Sequence, residues 1–178
     1  IRELSEKLGV NTAILADLQG PKIRVGEFDK PRVLKKGEEV TFSTKKKKDR
    51  IYINYQNFAK DVQLKDRVLL DDGKLALEVV STNKKDTVIL RVIFGGLLHS
   101  RKGVNLPNTK ISLPCLTLKD KQDLAFILSE KIEWVGLSFV RSANDVKILK
   151  KIIDKQNTHH RVIAKIEKPE AIDNLDDI

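Results

Sequence analysis

Several residue types are scarce in this sequence: among 178 residues it has no methionine, one tryptophan, and Cys115 as its single cysteine. One cysteine excludes an internal disulfide and suits a reducing compartment, so we expect a cytoplasmic location. No histidine lies close to Cys115 in sequence, so we interpret it as a buried apolar residue rather than a nucleophile. The lack of methionine, with no charged leader before Ile1, predicts a fragment of a longer protein.

Long apolar runs and cofactor fingerprints are also absent. No run approaches the roughly 20 residues that span a bilayer, so no membrane partner is expected. His99, His159 and His160 lack zinc-ligand spacing, and the sequence has neither a Walker-type loop nor a dinucleotide fingerprint. Aromatic residues make up 5% of the chain and do not alternate with basic ones, which disfavours a surface for single-stranded nucleic acid.

Positive charge is in excess: the chain has 34 Lys and Arg against 25 Asp and Glu, a formal net charge of +9. Such an excess favours anionic partners, namely nucleotides, phosphorylated metabolites or nucleic acid. The densest basic run, residues 45–48, lies between two strand-like segments, and we interpret it as a solvated loop.

The pattern of apolar residues divides the chain into three segments. Residues 1–22 and 115–178 alternate helix and strand patterns, whereas residues 23–114 contain short alternating runs separated by turn residues. Strands are predicted at 11–18, 39–43, 50–54, 67–70, 74–80, 87–94, 133–139 and 162–167. Helices are predicted at 1–9, 118–130, 142–155 and from 170 onwards, and none within 23–114. Residues 71–73 (DDG) are a predicted hairpin turn.

These patterns predict an α/β fold that carries an all-β insert. Parallel strands need a crossover between them, and the first strand reaches its crossover helix, 118–130, only after the insert. The insert therefore leaves the loop after the first strand, which is the catalytic side of an α/β barrel and a position from which a lid can close. We expect strands 11–18, 133–138 and 162–167 to be parallel neighbours in chain order.

Polar side chains end each of these three strands. Asp17 precedes a Gly-Pro turn, Ser138 ends the second strand, and Lys165 with Glu167 ends the third. A cation and an anion at the end of a buried strand are costly unless they have a function, such as stabilising a transferred group and holding a metal. The alternatives are a solvated ion pair for Lys165 and Glu167, and a local backbone turn for Asp17.

Basic residues also flank turns in the insert. Arg24 can make a forked contact with phosphate. Arg101 and Lys102 precede Gly103, where an anion can approach the backbone; a simple basic connector is the alternative interpretation. We expect Lys102 to be an exposed cation away from packed features.

Five segments together resemble the pyruvate kinase family. They are residues 15–24 (LADLQGPKIR), 71–73 (DDG), 102–107 (KGVNLP), 137–146 (LSFVRSANDV) and 164–167 (AKIE). The resemblance implies a partial (β/α)8 barrel, at 1–22 and 115–178, with an inserted small antiparallel β-barrel lid domain at 23–114. It also implies glycolytic phosphate transfer from phosphoenolpyruvate to ADP, giving pyruvate and ATP.

The resemblance also implies a metal and substrate site. By motif match, Glu167 would ligate Mg2+, and Lys165 would bind the phosphoryl group and stabilise the transition state. Asp17 would bind K+ through its carboxylate and Leu18 through its backbone carbonyl. The family often has Thr at position 18, but Leu offers the same carbonyl.

The remaining implied contacts concern the substrates. Ser138 and Phe139 would line the substrate pocket, while Arg24 and Lys102 would contact the nucleotide phosphates. The chain would hold roughly three of the eight barrel strands, so the fragment is expected to be inactive and its parent to be a homotetramer. The alternative is a basic β-barrel module on an α/β stub that binds nucleic acid or another polyanion, which would gather its cations on one face of the insert.

Overall fold

The structure, a computed structural model, describes residues 1–156 and 159–178. Within these residues it contains five α-helices and eleven β-strands. In chain order they are α1 (Arg2–Leu8), β1 (Leu15–Leu18), β2 (Arg32–Leu34), β3 (Glu39–Ser43), β4 (Ile51–Tyr52), α2 (Phe58–Asp61), β5 (Arg67–Leu70), β6 (Leu75–Thr82), β7 (Thr87–Phe94), β8 (Gly96–Leu98), β9 (Val104–Asn105), α3 (Leu118–Ser129), β10 (Trp134–Leu137), α4 (Ala143–Lys155), β11 (Arg161–Ala164) and α5 (Pro169–Asp173).

The chain divides into two compact units. The first combines Ile1–Pro21 with Leu113–Ile178, and the second is Lys22–Ser112. Among the described residues, no helix has both the length and the apolar character needed to cross a bilayer.

The first unit contains a parallel sheet in the order β1-β10-β11. Asp17 pairs in register with Gly136, and Leu137 with Ala164. This confirms that the three strands are parallel neighbours in chain order. All three are shorter than predicted, and β11 ends at Ala164, so Lys165 and Glu167 follow the strand instead of belonging to it.

Helices α3 and α4 pack against this sheet around a core of apolar side chains. Leu124, Ile127, Leu149 and Ile153 are buried together with strand residues such as Val135. Leu118 has the helical spacing of this apolar stripe, yet it is 81% exposed in the first turn of α3. Ser142 occupies the N-cap position of α4, but its side chain makes no capping hydrogen bond.

Helix α1 ends at a glycine cap and leaves its apolar side chains exposed. Gly9 caps it in the left-handed conformation, with φ of 63°, where glycine carries no steric penalty. Ile1, Leu4 and Leu8 have the spacing of an apolar helical stripe, yet all three are more than half exposed in this chain.

The second unit contains a six-stranded sheet in the order β4-β3-β7-β6-β5-β9 and a two-stranded sheet, β2-β8. All of its strand pairs are antiparallel except β3 with β4, which is parallel and departs from the predicted all-antiparallel arrangement. Strands β5 and β6 form the predicted hairpin, and Asp71, Asp72 and Gly73 all have positive φ.

Three strands and one helix of the second unit were not predicted. β2, β8 and β9 have only two or three residues each, which is too short for an alternating pattern. The prediction of no helix within 23–114 is wrong, because α2 forms a single turn that buries Phe58 and Ala59. One turn is likewise too short to show a helical period.

A hydrogen-bonded cluster joins α2 to the last residues of this unit. Tyr55 is 1% exposed, and its hydroxyl donates to Asp61 Oδ2 and accepts from the Ser112 backbone N–H at 3.0 Å. Burial, and the hydrogen bond to the Asp61 carboxylate, raise the pKa of Tyr55 to about 12. The buried phenol is therefore satisfied, as buried polar groups normally are.

Candidate active site

The carboxyl ends of the three parallel strands bring the predicted polar residues of the first unit together. Lys165 Nζ lies 2.8 Å from Asp17 Oδ2 and 3.5 Å from Glu167 Oε1. The hydrogen bond to Asp17, with further attraction from Glu167, raises the pKa of Lys165 above its ordinary value. The ammonium group therefore stays protonated at neutral pH and is held between two carboxylates.

The backbone of Phe139 fixes the second carboxylate. Its N–H donates to Glu167 Oε2 at 2.9 Å. Phe139 has a φ of 56°, an uncommon value for a residue with a large side chain. Such left-handed residues concentrate at functional sites, where surrounding contacts hold them in place.

A second contact joins the ends of β1 and β10. The buried Ser138 Oγ donates to the Leu18 carbonyl at 2.6 Å. A carbonyl oxygen has two lone pairs, so the Leu18 carbonyl keeps one for another partner. Ser138 thereby also fixes the direction of this carbonyl.

Two glycines make room for these groups. A Cβ on Gly136 would lie 2.8 Å from Asp17 Oδ1, and a Cβ on Gly20 would lie 2.8 Å from Phe139 Cδ2. Gly20 also has a φ of 68°, which a side chain would strain. Both positions therefore favour glycine for steric reasons.

Asp120 is a supporting residue that the sequence analysis missed. It is fully buried at the start of α3, where it completes a capping box with Thr117. Its Oδ1 accepts a hydrogen bond from the Gly20 N–H at 3.0 Å. The Thr-x-x-Asp spacing was the available signal, although the usual capping box has Glu or Gln at this position.

Lys168 is a second residue that was missed. It is 9% exposed, and burial lowers its pKa below the ordinary value. The nearby carboxylates of Glu170 and Glu167 oppose this shift. A buried lysine next to a Lys-x-Glu segment has no local sequence signal, because its burial depends on the tertiary structure.

The donor set of the first unit fits the expected cations. In the described part of the chain, no three His, Cys, Asp or Glu side chains form a metal cluster. Mg2+ does not require one, because it commonly takes one or two carboxylates together with substrate phosphates and water. Glu167 and Asp17 are such oxygen donors, and the Leu18 carbonyl adds a neutral one.

Arg24 and Lys102 lie in the second unit, on backbone segments that pair with each other. Arg24 forms an isolated antiparallel bridge with Gly103, the neighbour of Lys102. Its Nη1 donates to the Arg101 carbonyl at 2.8 Å. The two cations that the sequence analysis assigns to nucleotide phosphates therefore belong to one local structure.

Lys102 is not the unattached cation that was expected. Its Nζ lies 2.8 Å from Asp71 Oδ1, and Asp71 is 8% exposed. The hydrogen bond from Lys102 lowers the pKa of Asp71. The expectation that Lys102 lies apart from packed features is wrong, because the hairpin turn after β5 presents a carboxylate to it.

Polar residues gathered at the carboxyl ends of parallel strands occupy the place where α/β-barrel enzymes have their active sites. A family model described as "Pyruvate kinase, barrel domain" matches residues 1–178. The chain therefore belongs to the pyruvate kinase family.

Individual relatives agree with this assignment. A pyruvate kinase of Corynebacterium glutamicum is 44% identical over 182 residues, covering 100% of this chain and 38% of the relative. A pyruvate kinase of Mycobacterium tuberculosis is 42% identical with the same coverage. A crystal structure of a pyruvate kinase from Cryptosporidium parvum matches with a TM-score of 0.92 at 30% identity, covering 100% of this chain and 39% of that one. The chain thus spans about two fifths of the length of these relatives.

Proposed function

We propose that a full-length protein containing this chain transfers the phosphoryl group of phosphoenolpyruvate to ADP. In this proposal residues 1–22 and 115–178, which make up most of the first unit, are its share of a (β/α)8 catalytic barrel, and residues 23–114 are a small β-barrel lid. The proposal is supported by the family match over the whole chain and by the parallel sheet with its polar carboxyl edge.

The position of Lys165 is the observation that carries the proposal. Its ammonium group is fixed by Asp17 and Glu167 immediately after β11, and its raised pKa keeps it charged. Phosphoryl transfer depends on positioning and on charge stabilisation of the transferred group. A preorganised cation at this point stabilises the developing charge without reorganising during the reaction.

The neighbouring groups hold the cations and the substrate. Glu167 is the proposed Mg2+ ligand, and Asp17 with the Leu18 carbonyl forms the proposed K+ site. When bound, these ions neutralise charge on the phosphate oxygens. Ser138 fixes the Leu18 carbonyl, and Phe139 orients Glu167 through its backbone N–H.

Arg24 and Lys102 are the proposed nucleotide contacts from the lid. Asp71 holds the Lys102 ammonium in the second unit, so a phosphate that binds Lys102 must compete with this carboxylate or share the cation with it. The isolated chain carries part of the catalytic site and is expected to be inactive. We further propose that the parent is a cytoplasmic homotetramer.

Replacement of Lys165 by methionine in the full-length protein tests the proposal. Removing one preorganised electrostatic contact should lower kcat by at least about 10²–10³-fold. KM for phosphoenolpyruvate should change less, because the lost interaction is strongest in the transition state. Steady-state kinetics with pyruvate detection provides the measurement.

Lys151→Met is a matched control, because Lys151 is an exposed lysine on α4. Its kcat should stay within about twofold, as expected for a surface substitution away from the site. A kcat for Lys165→Met within a few-fold of the unmodified enzyme would show that Lys165 is only a strand-end cation.

A further inference from the structure

A groove in the second unit lies between the chain segments 27–32 and 46–52. Its volume of about 530 Å³ is within the range typical of small-molecule sites. Most of the residues that line the groove are cationic, namely Lys30, Arg32, Lys46, Lys47, Lys48 and Arg50. Arg24 and Lys102, the proposed nucleotide contacts, do not line it.

Six cations against two carboxylates leave the groove with an excess of positive charge. Within residues 1–156 and 159–178, none of the six cations forms a salt bridge, whereas the adjacent Lys45 binds Asp86 at 3.2 Å. The two carboxylates are Glu27 and Asp29. Glu27 is paired with Arg101, which lowers its pKa, and Lys46 adds a smaller attraction to the same carboxylate. A strong positive potential therefore remains in the groove.

Several of the cations are held in place by neutral groups. Arg32 lies over the Phe28 ring at 5.3 Å, and its Nη2 donates to the Lys48 carbonyl at 3.3 Å. Arg50 Nη1 donates to Thr87 Oγ1 at 2.7 Å. Contacts of this kind position a cation without cancelling its charge. The groove is thus partly preorganised for an anion.

The aromatic contacts in the groove limit the class of ligand that it can bind. Phe28 and Tyr52 each carry a cation over one ring face, Tyr52 holding Lys46 at 5.8 Å. These faces are not free to stack nucleobases, which is how proteins commonly bind single strands. Arginine forks and lysine ammonium groups recognise phosphate oxygens instead.

We propose that this groove binds a small anion with two or more phosphoryl groups. Repulsion among crowded cations is relieved when such an anion enters, so binding should weaken strongly as salt increases. The site is separate from Arg24 and Lys102 and does not depend on the proposed catalytic function. It makes Lys46, Lys47 and Lys48, three exposed residues of the basic run at 45–48, part of a binding site.

Calorimetric titration of the chain with inorganic tripolyphosphate tests the proposal. The variant Lys47→Ser/Lys48→Ser should lower the affinity by about tenfold or more, since two charge-assisted contacts are removed. The control Lys35→Ser/Lys36→Ser removes the same charge from two exposed lysines outside the groove. Its affinity should stay within about twofold of the unmodified chain, because neither lysine lines the groove and salt weakens interactions between charges that are not in direct contact. Far-UV circular dichroism should show all variants to be folded.

Two further measurements separate the groove from other anion sites. Lys102→Ala should retain the binding that Lys47→Ser/Lys48→Ser removes. Equal losses from the groove and control pairs, or loss through Lys102→Ala alone, would overturn the proposal. So would the absence of binding at low salt, or tighter binding of a 20-nucleotide oligothymidylate that depends equally on both lysine pairs.

Discussion

The Gly20 backbone N–H donates to Oδ1 of the buried Asp120 at 3.0 Å, which ties the turn after β1 to the first turn of α3. The same carboxylate accepts hydrogen bonds from the Thr117 N–H and hydroxyl through Oδ2. One side chain thus caps a helix and fixes the loop that follows Asp17 and Leu18.

Asp120→Ala should therefore destabilise the first unit by about 2–4 kcal/mol, because it removes a cap and leaves buried donors unpaired. Trp134, the single tryptophan, lies in β10 and reports unfolding of this unit. Urea titration followed by its fluorescence measures the change. Asp123→Ala on the same helix removes an exposed pair with Lys119 and should cost less than about 0.5 kcal/mol. Equal losses would contradict the role given to Asp120.

Gly20→Ala should be more destabilising than Gly9→Ala. Both glycines have positive φ, but a Cβ at Gly20 meets Phe139 and Ser138, whereas one at Gly9 meets nothing within 4 Å. We expect about 1 kcal/mol from backbone strain at Gly9 and about 2–4 kcal/mol at Gly20, where overpacking adds to strain. The same fluorescence measurement applies. A similar loss of stability at both positions would mean that the contact with Phe139 does not affect stability.

Tyr55→Phe should change the alkaline stability of the second unit. The folded pKa of Tyr55 is about 12, above the unfolded value of about 10. A group with a raised folded pKa contributes stability that is fully present below pH 10 and is lost as the pH rises to 12. For a pKa difference of this size, the loss in the free energy of unfolding is up to about 2–3 kcal/mol. Thermal unfolding between pH 9 and 12 should show a shallower decline for Tyr55→Phe. Tyr52→Phe, which removes the other tyrosine hydroxyl, should retain the original slope.

Cys115 should be nearly inert in the folded chain. It is 2% exposed, and burial raises the pKa of its thiol to about 11. At pH 8 this lowers the thiolate fraction by about 10²-fold relative to an ordinary cysteine, and only the thiolate reacts. Reaction with a disulfide reagent should be at least that much slower in buffer than in urea. The chain has one cysteine, so the reaction rate reports on Cys115 alone. Rapid modification without denaturant would contradict the prediction and show that Cys115 becomes exposed in the folded chain.

The sequence predicted the elements whose pattern repeats over several residues. β3, β5 and β7 match their predicted ranges, because alternating apolar residues define both length and face. The parallel order of β1, β10 and β11 followed from the crossover rule and is confirmed. The ends of strands were less accurate, because β11 stops where its pairing stops and not where its apolar residues do.

Other features depend on contacts between distant residues and could not be predicted. Asp120 meets Gly20 across 100 positions of sequence, and Gly136 matters only because Asp17 lies over it. Lys102 was expected to be exposed, since nothing local indicates that Asp71 would lie beside it. The grouping of Asp17, Lys165 and Glu167 was predictable, because parallel strands bring their carboxyl ends to one edge.

The order β1-β10-β11 also affects how the isolated chain behaves in solution. Within the described residues, β1 and β11 pair only with β10, so each offers one unpaired backbone edge. Leu15 on β1 and Ile163 on β11 are partly exposed beside these edges. Open edges flanked by apolar side chains recruit strands from other molecules. The isolated chain should therefore self-associate through β1 and β11 as its concentration rises. The central strand β10 does not contribute, because both of its backbone edges are already paired.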